Sequence, residues 1–190
     1  MSYDVLREVV NVTVAEWADG ANRYGMKFPV KYKNRPASPE LQDLLDTVGA
    51  INASNATTEP KRAVWARVTC VNGAAERIEL GENGATRFYA NGIIDLFVTK
   101  GSGERLINAL HRDLFDMFRT VATINSVRLN NIVFTEDLYF ANEQEEEKTN
   151  WFRTQYILPM HVSVDPRLGQ PGIGGVRDAI RNTQYRYGEA

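Results

Sequence analysis

Residues 63–118 read AVWARVTCVNGAAERIELGENGATRFYANGIIDLFVTKGSGERLINALHRDLFDMF, and this stretch decides the fold. Val64, Ala66, Val68 and Cys70 alternate with Trp65, Arg67, Thr69 and Val71, the period of two of a half-buried strand. A turn-rich segment follows, and alternation resumes from Arg87 to Lys100. Phe88, Ala90, Gly92, Ile94, Leu96 and Val98 share one face; Arg87, Tyr89, Asn91, Ile93, Asp95, Phe97 and Thr99 share the other. Unbroken, that strand would span about 46 Å at roughly 3.3 Å per residue, so Gly92 is expected to mark a bulge or bend. Gly101-Ser102-Gly103 ends it, with Ser102 as a helix cap and Glu104 suited to the helix dipole. Leu106, Leu110, Leu114, Phe118 and Val121, flanked by Ile107 and Met117, then form one helical stripe.

Outward from this unit the signals are plainer. Residues 2–19 form a helix, with Leu6, Val9, Val10, Val14 and Trp17 on one side and Gly20 as its terminator. Its valines lower intrinsic propensity, so packing must hold it. Phe28–Tyr32 is a short strand that Pro29 confines to an edge or a strand start. Between 33 and 62 the chain turns polar, and Ser38-Pro39-Glu40 before Leu41, Leu44, Leu45 and Val48, closed by Gly49, predicts a short helix. Ala50 to Lys61 is expected to be a mobile arm. Ser126–Phe134 and Trp151–Val164 are two further strands, the latter with Phe152, Tyr156, Leu158, Met160, Val162 and Val164 inward. Glu143, Glu145, Glu146 and Glu147 lie on the link between them, read as a solvated hairpin tip or as a docking surface for a basic partner. The order gives an α+β fold: one mostly antiparallel sheet packed on one side by two main helices, with a helical loop insertion and a C-terminal extension. One domain spans 1–164, including the inserted 33–62 loop or arm, and 165–190 is an extended tail expected to be mobile.

Composition narrows the function. Of 190 residues, 22 are basic and 24 acidic, a balance that favours neither sequence-specific nucleic-acid binding nor an anionic membrane. No apolar run approaches the ~20 residues that span a bilayer, and the N-terminus has no signal-peptide core, so a soluble cytosolic or assembled protein is expected. On that expectation the glycosylation-like tripeptides at Asn11, Asn52 and Asn55 are chance matches. Cys70, the lone cysteine, reads as a small hydrophobe. His111 and His161 have no neighbours at metal-ligand spacing, and Asp113 and Asp116 read as a solvated helical face. Gly81-Glu82-Asn83-Gly84 and Gly101-Ser102-Gly103 are turn chemistry rather than phosphate loops. No catalytic, cofactor-binding or metal-binding residues emerge, so no cofactor and no enzymatic activity are expected.

The outer face of the hairpin carries the sharper signal. Trp65, Tyr89, Ile93 and Phe97 all point away from the helix-covered side, together roughly 500 Å² of mostly apolar surface. Full burial corresponds to about 12 kcal/mol gross as an upper bound. Two coverings are open: the 33–62 loop of the same chain, or a partner subunit. On the second, the interface comprises Trp65, Tyr89, Ile93 and Phe97 with Arg67, and Arg87, Glu145 and Glu146 as rim charges.

In their order along the chain, several residues resemble the tail terminator proteins of long-tailed bacteriophages. They are Pro60, Trp65, Arg67-Val68-Thr69, the Glu79-Leu80-Gly81 turn, Gly84, Arg87, Gly92, Ile93-Ile94 and Gly101-Ser102-Gly103 opening a helix. Trp151-Phe152, entering a strand that ends Leu158-Pro159-Met160, resembles that family's last strand, and the similarity covers residues 60–164. The resemblance implies a virion protein at the tail-neck junction, assembled in the bacterial host cytoplasm. It implies a homo-oligomeric ring of six that ends the tail tube and gives head completion and other neck proteins a docking surface. Its partners would then be further copies of itself, the tail tube protein and the neck proteins. The 33–62 insertion and the C-terminal extension depart from the compact pattern of that family. Two other readings stay open: another neck ring on the portal side (a head completion or adaptor protein), and a ferredoxin-like small-molecule binder.

Overall fold

A computed structural model describes residues 2–53, 63–78, 84–100, 104–128, 132–145 and 151–164. Six strands, β1 (Val30–Tyr32), β2 (Val64–Arg77), β3 (Thr86–Thr99), β4 (Ile132–Phe134), β5 (Tyr139–Glu145) and β6 (Trp151–Val164), form one sheet. Its order is β1-β2-β3-β6-β4, and β5 pairs with the other half of the β6 edge. Only β1 is parallel to its neighbour; the remaining pairs are antiparallel. Helices α1 (Ser2–Ala18) and α3 (Glu104–Arg128) cover one face, and α2 (Pro39–Ala53) covers part of the other. The chain is therefore α+β, as the alternation and stripes require.

The main core lies between α1, α3 and the even-numbered residues of β2, β3 and β6. Leu6, Val9, Val10, Val14 and Trp17 of α1 are all fully buried, and so are Leu110 and Leu114 of α3. Ile94, Leu96, Tyr156, Leu158 and Val162 meet them from the sheet. Gly20, at φ +105°, ends the α1 region in a conformation that suits glycine. Asn22 then builds the turn into β1. Its side-chain amide donates to the carbonyls of Trp17 (2.9 Å) and Met26 (2.8 Å), and its oxygen accepts from the N–H groups of Tyr24 and Met26.

Several expectations are corrected. Gly92 is not a bulge: β3 pairs with β6 without a break from Thr86 to Thr99, and the register shift on the β2 side falls between Asn72 and Ala75. Glycine stands at 92 because α1 crosses there; a Cβ would lie 3.1 Å from Val10 Cγ2. The predicted strand over 126–134 shrinks to β4, because the spacing Val121-Ile124-Val127 prolongs the helical stripe and α3 runs to Arg128. The acidic link contains a strand, β5, bulged between Phe140 and Asn142. Its backbone bonds to β6 outweigh the low strand propensity of Glu and Asn. Helix α2 starts as predicted, with Ser38 Oγ accepting from the Leu41 N–H (3.2 Å), but continues past Gly49 to Ala53. Of the arm 50–61, the first four residues are thus helical and the rest lie outside the described residues. The Ser102 cap, the Glu79-Leu80-Gly81 turn and the 165–190 tail also lie outside them.

Candidate functional site

The outer sheet face is occupied differently along its length. At one end Trp65 and Phe97 stack with ring centroids 3.9 Å apart and planes 2° from parallel, and Trp151 meets Trp65 edge-on at 6.3 Å. Leu41 and Val48 of α2 seal this trio, with Leu44, Leu45 and Ala37 at its margin. Trp65 and Phe97 are therefore not free interface residues. The first of the two coverings applies here, because the apolar stripe of α2, in the same chain, packs on that face.

Next to the aromatic cluster lies a polar one. Asp95 is 2% exposed. Its Oδ1 accepts from Arg153 Nε (2.9 Å) and Nη2 (2.7 Å) and from Gln155 Nε2 (2.9 Å). Its Oδ2 accepts from Arg67 Nε (2.8 Å), and Arg67 Nη2 lies 2.8 Å from it as an ion pair. Two guanidinium groups on one carboxylate leave one net positive charge, and Lys31, Lys33 and Tyr32 join the same residues around a hollow of about 300 Å³. Arg67 also lies over the Phe97 ring at 5.5 Å. Arg67 thus braces the sheet within the subunit while its side chain stays 40% exposed. Asp95, Arg153 and Gln155 were missed in the sequence. The signal was a carboxylate in the apolar run Ile93-Ile94-Asp95-Leu96-Phe97, which demands a partner when buried.

Farther along, the face is half-open. Ile93, Tyr89 and Arg87 are partly exposed. Tyr89 donates its hydroxyl to Glu76 (3.0 Å) and its ring meets His161 at 5.6 Å, while Arg87 Nε reaches Ser163 Oγ at 3.5 Å. Glu145 stands on β5 opposite Phe152, and Glu146 lies outside the described residues. Of the predicted interface residues, Trp65 and Phe97 are thus sealed under α2 while Arg87, Tyr89 and Ile93 stay partly exposed.

Elsewhere, titratable groups serve the fold. Asp113 is buried rather than solvated: its carboxylate accepts from the Arg23 backbone N–H (2.9 Å), Nε (2.8 Å) and Nη2 (2.6 Å), tying the α1–β1 turn to α3. That ion pair raises the already high pKa of Arg23. His111 packs against Tyr156 at 4.4 Å, and burial lowers its pKa. Burial also lowers the pKa of His161, helped by the Arg87 charge. Neither Nδ1 has a hydrogen-bond partner among the described residues. Half-buried Cys70 has its thiol pushed up by burial, which keeps it protonated. Among the described residues no group of three or more His, Cys, Asp or Glu side chains could hold a metal, and no helix is long and apolar enough to cross a membrane.

No protein-family model and no curated protein sequence matches the chain. Among the solved structures that are similar, one matches at a TM-score of 0.47 and 12% identity, over 87% of this chain and 99% of that one. A likeness of that size carries no functional argument.

Proposed function

We propose that this chain is a structural subunit that closes, with further copies of itself, into a ring ending a bacteriophage tail tube and offering its other side to the neck. The observation that carries this reading is where the family-like residues fall. Scattered over a hundred positions in sequence, those among the described residues fall on neighbouring strands of one sheet. Trp65 and Arg67 are in β2, Arg87, Gly92 and Ile93 in β3, and Trp151 to Met160 in β6, with α3 beginning just after 101–103. A six-membered ring follows from the resemblance, and a capped cyclic end requires closure rather than an open helix. On this reading the protein works by shape and contact, without turnover or cofactor.

The test adds purified protein to tail tubes growing from tube subunits. Electron microscopy should show arrested growth and one ring of six at one end of each tube. Tubes that keep lengthening with bare ends would sink the reading. Rings recovered on portal assemblies instead would make the protein a different ring of the neck.

A further inference from the structure

The two outermost strands, β1 and β5, stand level across the sheet. Lys31 pairs with Arg67, Arg67 with Asp95, Asp95 with Gln155, and Gln155 with Asn142. The next row runs Tyr32, Val68, Ile94, Tyr156, Phe140. Since β1 is parallel to β2, and three antiparallel steps separate β2 from β5, β5 runs opposite to β1. A copy placed alongside would therefore bring β5 against β1 in the antiparallel sense, the stronger pairing.

Both edges are chemically prepared for each other. Pro29 O accepts from Ala66 N, and Lys33 N donates to Val68 O, so by strand alternation the N–H groups of Val30 and Tyr32 face outward. Among the described residues β1 pairs only with β2, and β5 only with β6. Lys31, Lys33 and Arg35 are exposed at the first edge. At the second, Glu136 and Asp137 are exposed just ahead of β5, and Glu143 and Glu145 lie in it. Tyr139 and Phe140 there are 43% and 49% exposed. Beside β1 runs a groove of about 650 Å³ lined by Ala15, Ala18, Phe28, Val30 and Tyr32, with Glu40 and the ion pair of Lys27 and Asp19 also on it. Phe140 occupies the same cross-sheet row as Tyr32, level with that groove.

We propose that β5 of one subunit adds as a strand to β1 of the next. Glu136 and Asp137, just ahead of β5, then come beside Lys33 and Arg35, just after β1, and Phe140 enters the groove. The occupant is a second copy of this chain, and the inference rests on the ring reading above, for which it names the contact. Because each subunit carries both edges, the contact is head-to-tail; such contacts close as rings or run on as filaments, and the ring reading requires closure.

Charge exchange tests it. One variant carries Lys33→Glu and Arg35→Glu, so both meeting ends are acidic; the other carries Glu136→Lys and Asp137→Lys, so both are basic. Circular dichroism first checks that each variant folds. Native mass spectrometry and negative-stain microscopy, alone and with tail tubes, should then show at least about a tenfold loss of closed rings for either variant by itself. An equimolar mixture should recover rings containing equal numbers of the two, as alternation in an even-membered ring demands. Variants that each close rings like the wild type, or a mixture no better than its components, would overturn this contact and leave the ring reading standing. A wild type that stays monomeric even on tubes would overturn both. Protection of the Val30 and Tyr32 amides in wild-type monomers would show that the chain's own remaining segments cover the edge, which also overturns the contact.

Discussion

Replacing Asp95 by Ala removes the acceptor of four N–H groups contributed by Arg67, Arg153 and Gln155, and the ion pairs with both arginines. Bonds to a charged group contribute about 1.5–3 kcal/mol each, but they do not add here. The Arg67 and Arg153 side chains are 40% and 22% exposed, so once released both can turn toward water. Breaking a buried pair costs about 3–5 kcal/mol, and the partial exposure places this one at the low end, ~3 kcal/mol. For a domain of this size each kcal/mol shifts the melting temperature by roughly 2–4 °C, so a fall of about 6–12 °C is expected. Asp95→Asn keeps the shape but turns an NH₂ toward a guanidinium, and should lose nearly as much. Thermal scans, supported by urea titrations with an unchanged m-value, measure both. A fall below about 2 °C for Asp95→Ala would refute the reasoning, because it would mean that water replaces the carboxylate without penalty.

Gly92→Ala should destabilise by about 1–2 kcal/mol despite alanine's smaller backbone entropy cost, since its Cβ meets the stiff Val10 at 3.1 Å; adding Val10→Ala should recover part of the loss in urea titrations. Both histidines have lowered pKa values in the fold, so below pH ~6.5 the unfolded chain takes up protons first and stability falls with pH. A His111→Gln, His161→Gln variant should therefore lose less melting temperature between pH 7.5 and 5.5 than the wild type, and an equal loss would contradict the sign. Phe97→Asp places a charge in the Trp65–Trp151 cluster beneath α2, so hydrogen exchange should show α2 released first while α1 and α3 stay protected. Unchanged exchange in α2 would mean that Phe97 is not what holds it.

Periodicity made the layers legible. The stripes of α1 and α3 and the alternation of β2, β3 and β6 are long, and each is buried on one well-defined face, so the signal repeats many times. What escaped has little of that repetition. Among the described residues β5 pairs only with β6, its sequence is acidic, and its alternation is interrupted by the bulge between Phe140 and Asn142. Gly92 looked like a bend because a glycine in a strand has two physical causes, and only the position of α1 distinguishes close approach from bulging. Trp65 and Phe97 were rightly placed on the outer face, but which body covers an apolar face depends on where a tethered helix docks. Asp95 and Asp113 show the remaining limit. A buried carboxylate is detectable as an anomaly in its run, whereas its partners, Arg153 58 residues away and Arg23 90 residues away, come from tertiary structure alone.

Covering of the aromatic end by α2 changes what a ring of such subunits would have to use. With Trp65, Phe97 and Trp151 already sealed, the open apolar side chains at the β4–β5 edge are Val133, Tyr139 and Phe140. An edge bearing apolar residues invites indiscriminate pairing, and charge is one of the ways proteins suppress it. Glu136 and Asp137 ahead of β5 set two β5 edges against each other, and Lys33 and Arg35 do the same for two β1 edges. On the proposed contact, the same charges that prevent like edges from forming isologous dimers attract unlike edges. Charge selects the head-to-tail order, and the outward N–H groups of Val30 and Tyr32 with the Phe140 side chain supply the short-range fit. Raised salt should then weaken this selection before it weakens the ring, because the charges are exposed and screened while the strand pairing is not.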